Sequence, residues 1–301
     1  MMKVLKVNRP SDYSSYLGVT DRHPLVSVIE YDRISPVFTT LNDYNVYGIF
    51  LRGDNLVDLT YGCGIYDYKE GTLLAVAPGQ FGGTEDNGEK VNISGWSILF
   101  HPDLLQGTSL EKKITNYTFF DYSLNEALHM TEEERNIIID IMRSIENEIN
   151  KPADSHQNNI IVNYIELMLN FCQRFYDRQF LTRKLEISDI LIRFQNVLKE
   201  YYSSGEQLRN GLPTLQYMAE KLCLSPSYLG DLIKRSTGTN ASKYIQRMVI
   251  QQAKNLMSAG QNISQTAYSL GFDYPQHFSR FFKREEGITP KEYLIRRKTS
   301  H

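Results

Sequence analysis

No stretch of this 301-residue sequence runs apolar for 18 positions, so no membrane-spanning helix is expected. The opening MMKVLKVNRPSDYSS lacks the apolar core of a secretion signal, and a cytoplasmic chain is expected. Cysteine is scarce. Cys63, Cys172 and Cys223 are widely spaced, odd in number and outside any CxxC or zinc pattern, which reads as buried thiols of a reducing compartment. There is no GxSxG, no phosphate-binding glycine loop and no motif placing paired carboxylates, so nothing points to catalysis. Histidine supplies no local metal clamp: His23, His101 and His129 stand apart with no HxH, and neither a metal nor another cofactor is expected. His101-Pro102-Asp103 reads instead as the end of a strand and the start of a turn.

The composition is that of folded domains, and the length suggests two of them. Charge is unevenly divided. Residues 205–301 hold 14 Lys and Arg against 7 Asp and Glu, a net of +7, while residues 1–204 hold 19 against 28, a net of −9. A polyanionic partner would therefore meet the C-terminal part; a solvated basic surface is the blander alternative.

Residues 1–125 read as β-rich. The runs Leu25–Tyr31, Val46–Arg52, Leu56–Tyr61, Thr72–Ala77 and Trp96–His101 are apolar and β-branched or aromatic, and glycine turns separate them. Several short strands at near-regular spacing suggest an antiparallel sandwich or barrel. Trp96, Ile98 and Phe100 share one face and are expected to line its interior. Tyr47, Arg52 and Trp96 are the candidate contacts for a small ligand, with core packing the alternative for Trp96 and a plain surface position for Arg52.

Residues 126–185 read as helical. Thr131 with Glu134 forms a capping box before an isoleucine stripe from Ile137 to Ile149, and a second amphipathic helix carries Ile161, Ile165, Met168, Leu169 and Cys172. Their stripes need cover from the β-domain, from each other or from a second subunit. Residues 182–186 are polar and aperiodic, and read as a linker.

Residues 187–301 read as all-α with two helix-turn-helix units. In the first, Thr214 caps a helix, Cys223-Leu224 turns the chain, and Ser225-Pro226 opens a second helix that Gly238 ends. Asn240 to Ser258 is a connecting helix. In the second, Asn262 and Gln265 form a capping box, Gly271 ends the helix, and Asp273 is the expected cap of the next, with Pro275 in its first turn. Phe278, Phe281 and Phe282 make the apolar face and leave the basic residues outside.

Ala253, Leu256, Ala267, Gly271-Phe272, Phe278, Arg280, Phe282-Lys283-Arg284, Gly287, Thr289-Pro290 and Glu292-Tyr293 resemble, in order and spacing, the signature of the arabinose-regulator (AraC-type) transcription factors. Thr266 stands where an aliphatic residue is usual, and Tyr274 where a small polar one is. The resemblance implies a sequence-specific DNA-binding regulator, commonly an activator, with promoter DNA and RNA polymerase as partners. It further implies a cupin-like β-barrel ahead of the DNA-binding part that takes a small effector, and a homodimer through residues 156–180. The fold class expected is α+β. A regulator controlled by a protein partner, or a cupin-type enzyme, are the alternatives. Arg280 is the expected base or phosphate contact, with Gln276, His277 and Ser279 secondary and Lys283 on phosphate. In the first unit Ser227, Tyr228 and Lys234 are the expected contacts, with Arg235 on the backbone.

Overall fold

The computed structural model describes residues 4–34, 36–53, 71–84, 88–123, 126–182 and 184–299. It divides into two compact units, Met1–Thr182 and Arg183–His301. The expected strand Leu56–Tyr61 and Cys63 lie outside the described residues.

The first unit opens with β1 (Val4–Val7), α1 (Pro10–Tyr16) and β2 (Val26–Glu30). Then come β3 (Val37–Phe38), β4 (Leu41–Tyr44), β5 (Tyr47–Arg52), β6 (Thr72–Val76), β7 (Gln80–Gly83), β8 (Lys90–Val91) and β9 (Gly95–Phe100). After α2 (Ser109–Lys113) and β10 (Leu128–His129) it closes with α3 (Glu132–Ile149) and α4 (Gln157–Thr182). Among the described residues the strands form no closed barrel. They form sheets ordered β10-β6-β5-β9-β2, β1-β4-β7 and β3-β8. One pair, β1 with β4, is parallel, which requires the long crossover through α1 and β2 that lies between them. The sequence reading missed β1 because its four residues, Val-Leu-Lys-Val, are too short a run to stand out.

Register in the larger sheet decides which side chains meet. Leu51 pairs with Trp96, Ile49 with Ile98 and Tyr47 with Phe100, so these six share one face. Phe50 pairs with Ser97 and with Leu74, and Gly48 with Leu99 and Val76, on the other face, which Arg52 shares. Tyr47 and Arg52 are an odd number of residues apart and therefore point to opposite sides. Tyr47 stacks on Phe100 at 5.3 Å and meets Phe120 edge-on at 5.1 Å. Trp96 is 4% exposed, with the guanidinium groups of Arg33 and Arg143 at 5.8 and 5.4 Å from its ring. Arg143 belongs to α3, which packs on β2 and β9. Trp96, Ile98 and Phe100 thus share a face as expected; Tyr47 packs on the helix-covered side, away from Arg52, whereas Trp96 and Arg52 both line a cleft with Asp32 and Arg135.

The helices form where their caps and stripes predict. Thr131 Oγ1 accepts from the Glu134 amide while Glu134 returns the bond to the Thr131 amide. Ile138, Ile141 and Ile145 are buried, and Ile137 is turned outward. His101 caps the short helical turn Pro102–Leu105 after β9. The expected linker differs: α4 runs to Thr182 and the next helix starts at Lys184. Leucine, lysine and glutamate are good helix formers even without an apolar period.

The second unit comprises α5 (Lys184–Ser203), α6 (Gln207–Asn210), α7 (Leu215–Leu222), α8 (Pro226–Thr237), α9 (Ala241–Ser258), α10 (Ile263–Ser269), α11 (Pro275–Glu286) and α12 (Pro290–Thr299). Its core is Phe194, Leu198, Met218, Leu229, Leu232, Ile233, Val249, Ala253, Ala267, Phe278 and Phe282.

Candidate nucleic-acid interface

The first helix pair is built by its punctuation. Thr214 Oγ1 accepts from the Tyr217 amide and starts α7. Cys223 ends it in the left-handed region at φ 56°, a conformation unusual for a residue other than glycine. Ser225 Oγ accepts from the Tyr228 amide and starts α8, with Pro226 in the first turn. Cys223 is exposed, contrary to the reading of three buried thiols; its place in the turn explains why. Cys172 is buried, and burial pushes its thiol up to about 12.

The second pair repeats the plan. Asn262 and Gln265 cap each other at the start of α10, each bond 2.9 Å. Gly271, at φ +89°, follows it, and a Cβ there would stand 2.5 Å from the Gln207 carbonyl oxygen and 2.9 Å from that of Gly211. Only glycine allows both the turn and this close approach of the α6 segment. Tyr274, not Asp273, occupies the cap position of α11, and its side chain makes no capping bond. Pro275 in the first turn presets the helical φ and removes one amide that would need a cap, which lessens the need for Asp273.

Phe278, Phe281 and Phe282 face the core. Gln276, His277, Arg280 and Lys283 face outward, and Gln276, Arg280 and Lys283 fall at i, i+4 and i+7, on one stripe. Ser279 is half-buried and its hydroxyl donates to the Pro275 carbonyl. His277 is exposed and meets Tyr274 edge-on at 5.4 Å. Tyr274, just before α11, and Tyr268 of α10 are themselves exposed; the sequence marks the first only as a departure from the signature and gives no sign of the second.

Charge on α11 is sorted by end. Lys254 of α9 reaches Glu286 at 2.6 Å, and Lys243 of α9 reaches Glu285 at 3.5 Å. Arg284 also pairs with Glu285 at 2.9 Å and lies over the Phe281 ring. Burial opposes the Glu285 charge, but Arg284 and Lys243 prevail and hold its carboxyl below the usual range. Both acids of α11 are thus drawn towards α9, while Arg280 has no carboxylate partner among the described residues.

In α8, Lys234 and Arg235 are exposed and Ser227 is half-buried. Tyr228 is 7% exposed and part of the core, so its expected place among the DNA contacts is corrected. It lies one position before Leu229, close enough to the apolar stripe to be drawn inside. Among the described residues, no group of three or more His, Cys, Asp or Glu is placed to hold a metal ion. No described helix is long and apolar enough to cross a membrane.

Residues 218–296 match the family described as a helix-turn-helix domain. The uncharacterized transcriptional regulatory protein YesN of Bacillus subtilis (strain 168) is 36% identical over 93 residues, which are 30% of this chain and 25% of that protein. The arabinose operon regulatory protein of Escherichia coli (strain K12) is 35% identical over 77 residues, 25% of this chain and 26% of that protein. The aligned stretch thus spans about a quarter of these relatives. Among solved structures, ToxT from Vibrio cholerae aligns over 90% of this chain and 98% of its own at 17% identity, with a TM-score of 0.30. The paired helix-turn-helix segment of this chain is an AraC-type DNA-binding domain, the kind carried by transcription regulators.

Proposed function

We propose that the chain is a sequence-specific DNA-binding regulator of transcription, acting as an activator with RNA polymerase, in which α8 and α11 each enter a major groove. The carrying observation is the outward stripe Gln276, Arg280 and Lys283, basic on a helix whose own acids are tied to α9. An α-helix fits the major groove, where every base pair presents a distinct pattern of donors and acceptors. At ~1.5 Å per residue, the 18-residue α9 is about 27 Å long, comparable with the roughly 34 Å repeat of the duplex. Lys234 and Arg235 serve the first unit, and Ser227 is its polar contact. The test is selection of bound duplexes from random DNA by the full chain. A single enriched motif with two parts about one helical turn apart is expected, and recovery of unenriched DNA would sink the reading.

The N-terminal unit is the sensor and the dimer contact in this reading. Ile160, Tyr164, Leu167 and Phe171 recur along α4 at i, i+4, i+7 and i+11, and Ile160 and Leu167 are exposed. This uncovered stripe supports a homodimer through α4. Light scattering of the full chain at micromolar concentration is expected to give twice the monomer mass, and Leu167→Glu to give the monomer.

A further inference from the structure

The proposed sensor role leaves the chemistry of its effector open, and one cavity in the first unit bears on it. The cavity has a volume of about 90 Å³ and is lined by Tyr13 of α1, Asn42 and Tyr44 of β4, Phe50 and Arg52 of β5 and Val76 of β6. One water needs ~10–15 Å³ on this measure, so there is room for roughly six to nine water-sized groups. Its walls are largely aromatic: Tyr13 meets Phe50 edge-on at 6.0 Å, and Tyr44 lies 5.8 Å from Phe50.

Two polar atoms here lack partners among the described residues. The buried Nε of Arg52 is a donor without an acceptor, and the buried Oδ1 of Asn42 is an acceptor without a donor. The other end of the Asn42 amide is spent: Nδ2 donates to the Tyr44 hydroxyl at 3.1 Å. Leaving a buried polar group unpaired is destabilising, and more so when the group is charged. No carboxylate neutralises Arg52 among the described residues. Asp32, which shares a neighbouring cleft with it, accepts from the Gly95 amide at 3.3 Å. Glu30 pairs with Arg33. The hydroxyls around the guanidinium stay neutral, because burial pushes Tyr13, Tyr31 and Tyr44 all above the ordinary tyrosine range.

We propose that this cavity binds a small monocarboxylate whose body is a ring or short apolar chain and which also carries a hydroxyl or amino donor. The carboxylate takes the Arg52 Nε–H, the donor meets Asn42 Oδ1, and the apolar body lies among Tyr13, Tyr44 and Phe50. This rests on the reading of the first unit as the sensor. A neutral sugar would bring the guanidinium no counter-charge, and a bare inorganic anion would leave the aromatic walls unfilled.

The test is calorimetric titration of the full chain with benzoate, 3-hydroxybenzoate, benzamide and arabinose. Benzoate should bind about ten-fold or more tightly than its neutral isostere benzamide, as expected for a charge-assisted bond. The ring hydroxyl should tighten binding further, and arabinose should give no heat. Arg52→Gln should erase the preference for benzoate over benzamide. Gly82→Ala, whose added Cβ would come within 3.2 Å of Tyr44 Cε2, should weaken both carboxylates while keeping that preference. Benzamide or arabinose binding as tightly as benzoate, or no benzoate binding at millimolar concentration, would overturn the proposal even if Arg52→Gln does not fold. The duplex selection separates the two readings: a chain that selects DNA yet ignores every carboxylate loses only this site. One that prefers benzoate but enriches no duplex keeps the site and loses the regulator reading.

Discussion

Thr266 shows what a single position reveals. It is fully buried in α10, and its Oγ1 has no hydrogen-bond partner among the described residues. The AraC-type signature favours an aliphatic residue here, so the hydroxyl is a buried polar group in a slot shaped for a methyl. Thr266→Val is therefore expected to stabilise the second unit by about 1 kcal/mol, read as a raised midpoint in urea with unchanged slope. A loss of stability would mean that the hydroxyl is satisfied. Arg280 supplies the functional counterpart. Arg280→Ala is expected to weaken specific binding by about 1–3 kcal/mol if the guanidinium grips a guanine, with little change on random duplex. Tyr228→Phe should leave both affinities alone, because that ring sits in the core. Residue identity alone could not separate these two. Both are polar-tipped and near a recognition helix, and only burial tells the inward tyrosine from the outward arginine.

At the scale of elements, caps and stripes were the most legible part of the chain. Thr131, Thr214, Ser225, Asn240 and Asn262 each begin a helix by accepting a backbone amide bond, because a short side-chain oxygen in extended backbone has few other uses at such a place. Asn262→Ala is expected to cost about 0.5–2 kcal/mol in denaturant unfolding. Sheet topology was far less legible, since pairing joins residues distant in sequence. The runs holding β2, β5, β6 and β9 were found, but neither the parallel pair of β1 and β4 nor the helix-covered side of Tyr47 and Trp96 followed from them. Acid should loosen the helical unit. Backbone and hydroxyl bonds from Thr289 hold the Glu292 carboxyl low, and against burial Arg284 and Lys243 hold that of Glu285 low. Both bind protons more weakly folded than unfolded, so their contribution is complete above the ordinary carboxylate range and fades as pH falls through it. Far-ultraviolet circular dichroism under a denaturant series at successive pH values should show the urea midpoint falling on the acid side, and less steeply in Thr289→Ala.

For the molecule as a whole, the division of charge was plain from the sequence and sets how binding should respond to salt. The net of +7 lies in residues 205–301, while the first 204 carry −9. The acidic part repels the phosphate backbone, so the encounter is steered towards the basic unit. Each phosphate neutralised contributes a slope of about −0.9 in log affinity against log salt. If Lys234, Arg235 and Lys283 each meet one phosphate, one subunit gives roughly −2.7, and a dimer on two half-sites roughly −5.4. Measuring the slope by fluorescence anisotropy on a selected duplex therefore reports the number of subunits engaged. Leu167→Glu should halve it if α4 joins the subunits. A slope that stays near the larger value in that variant would place the pairing of subunits elsewhere, and a slope near zero would remove the recognition helices from the phosphate backbone.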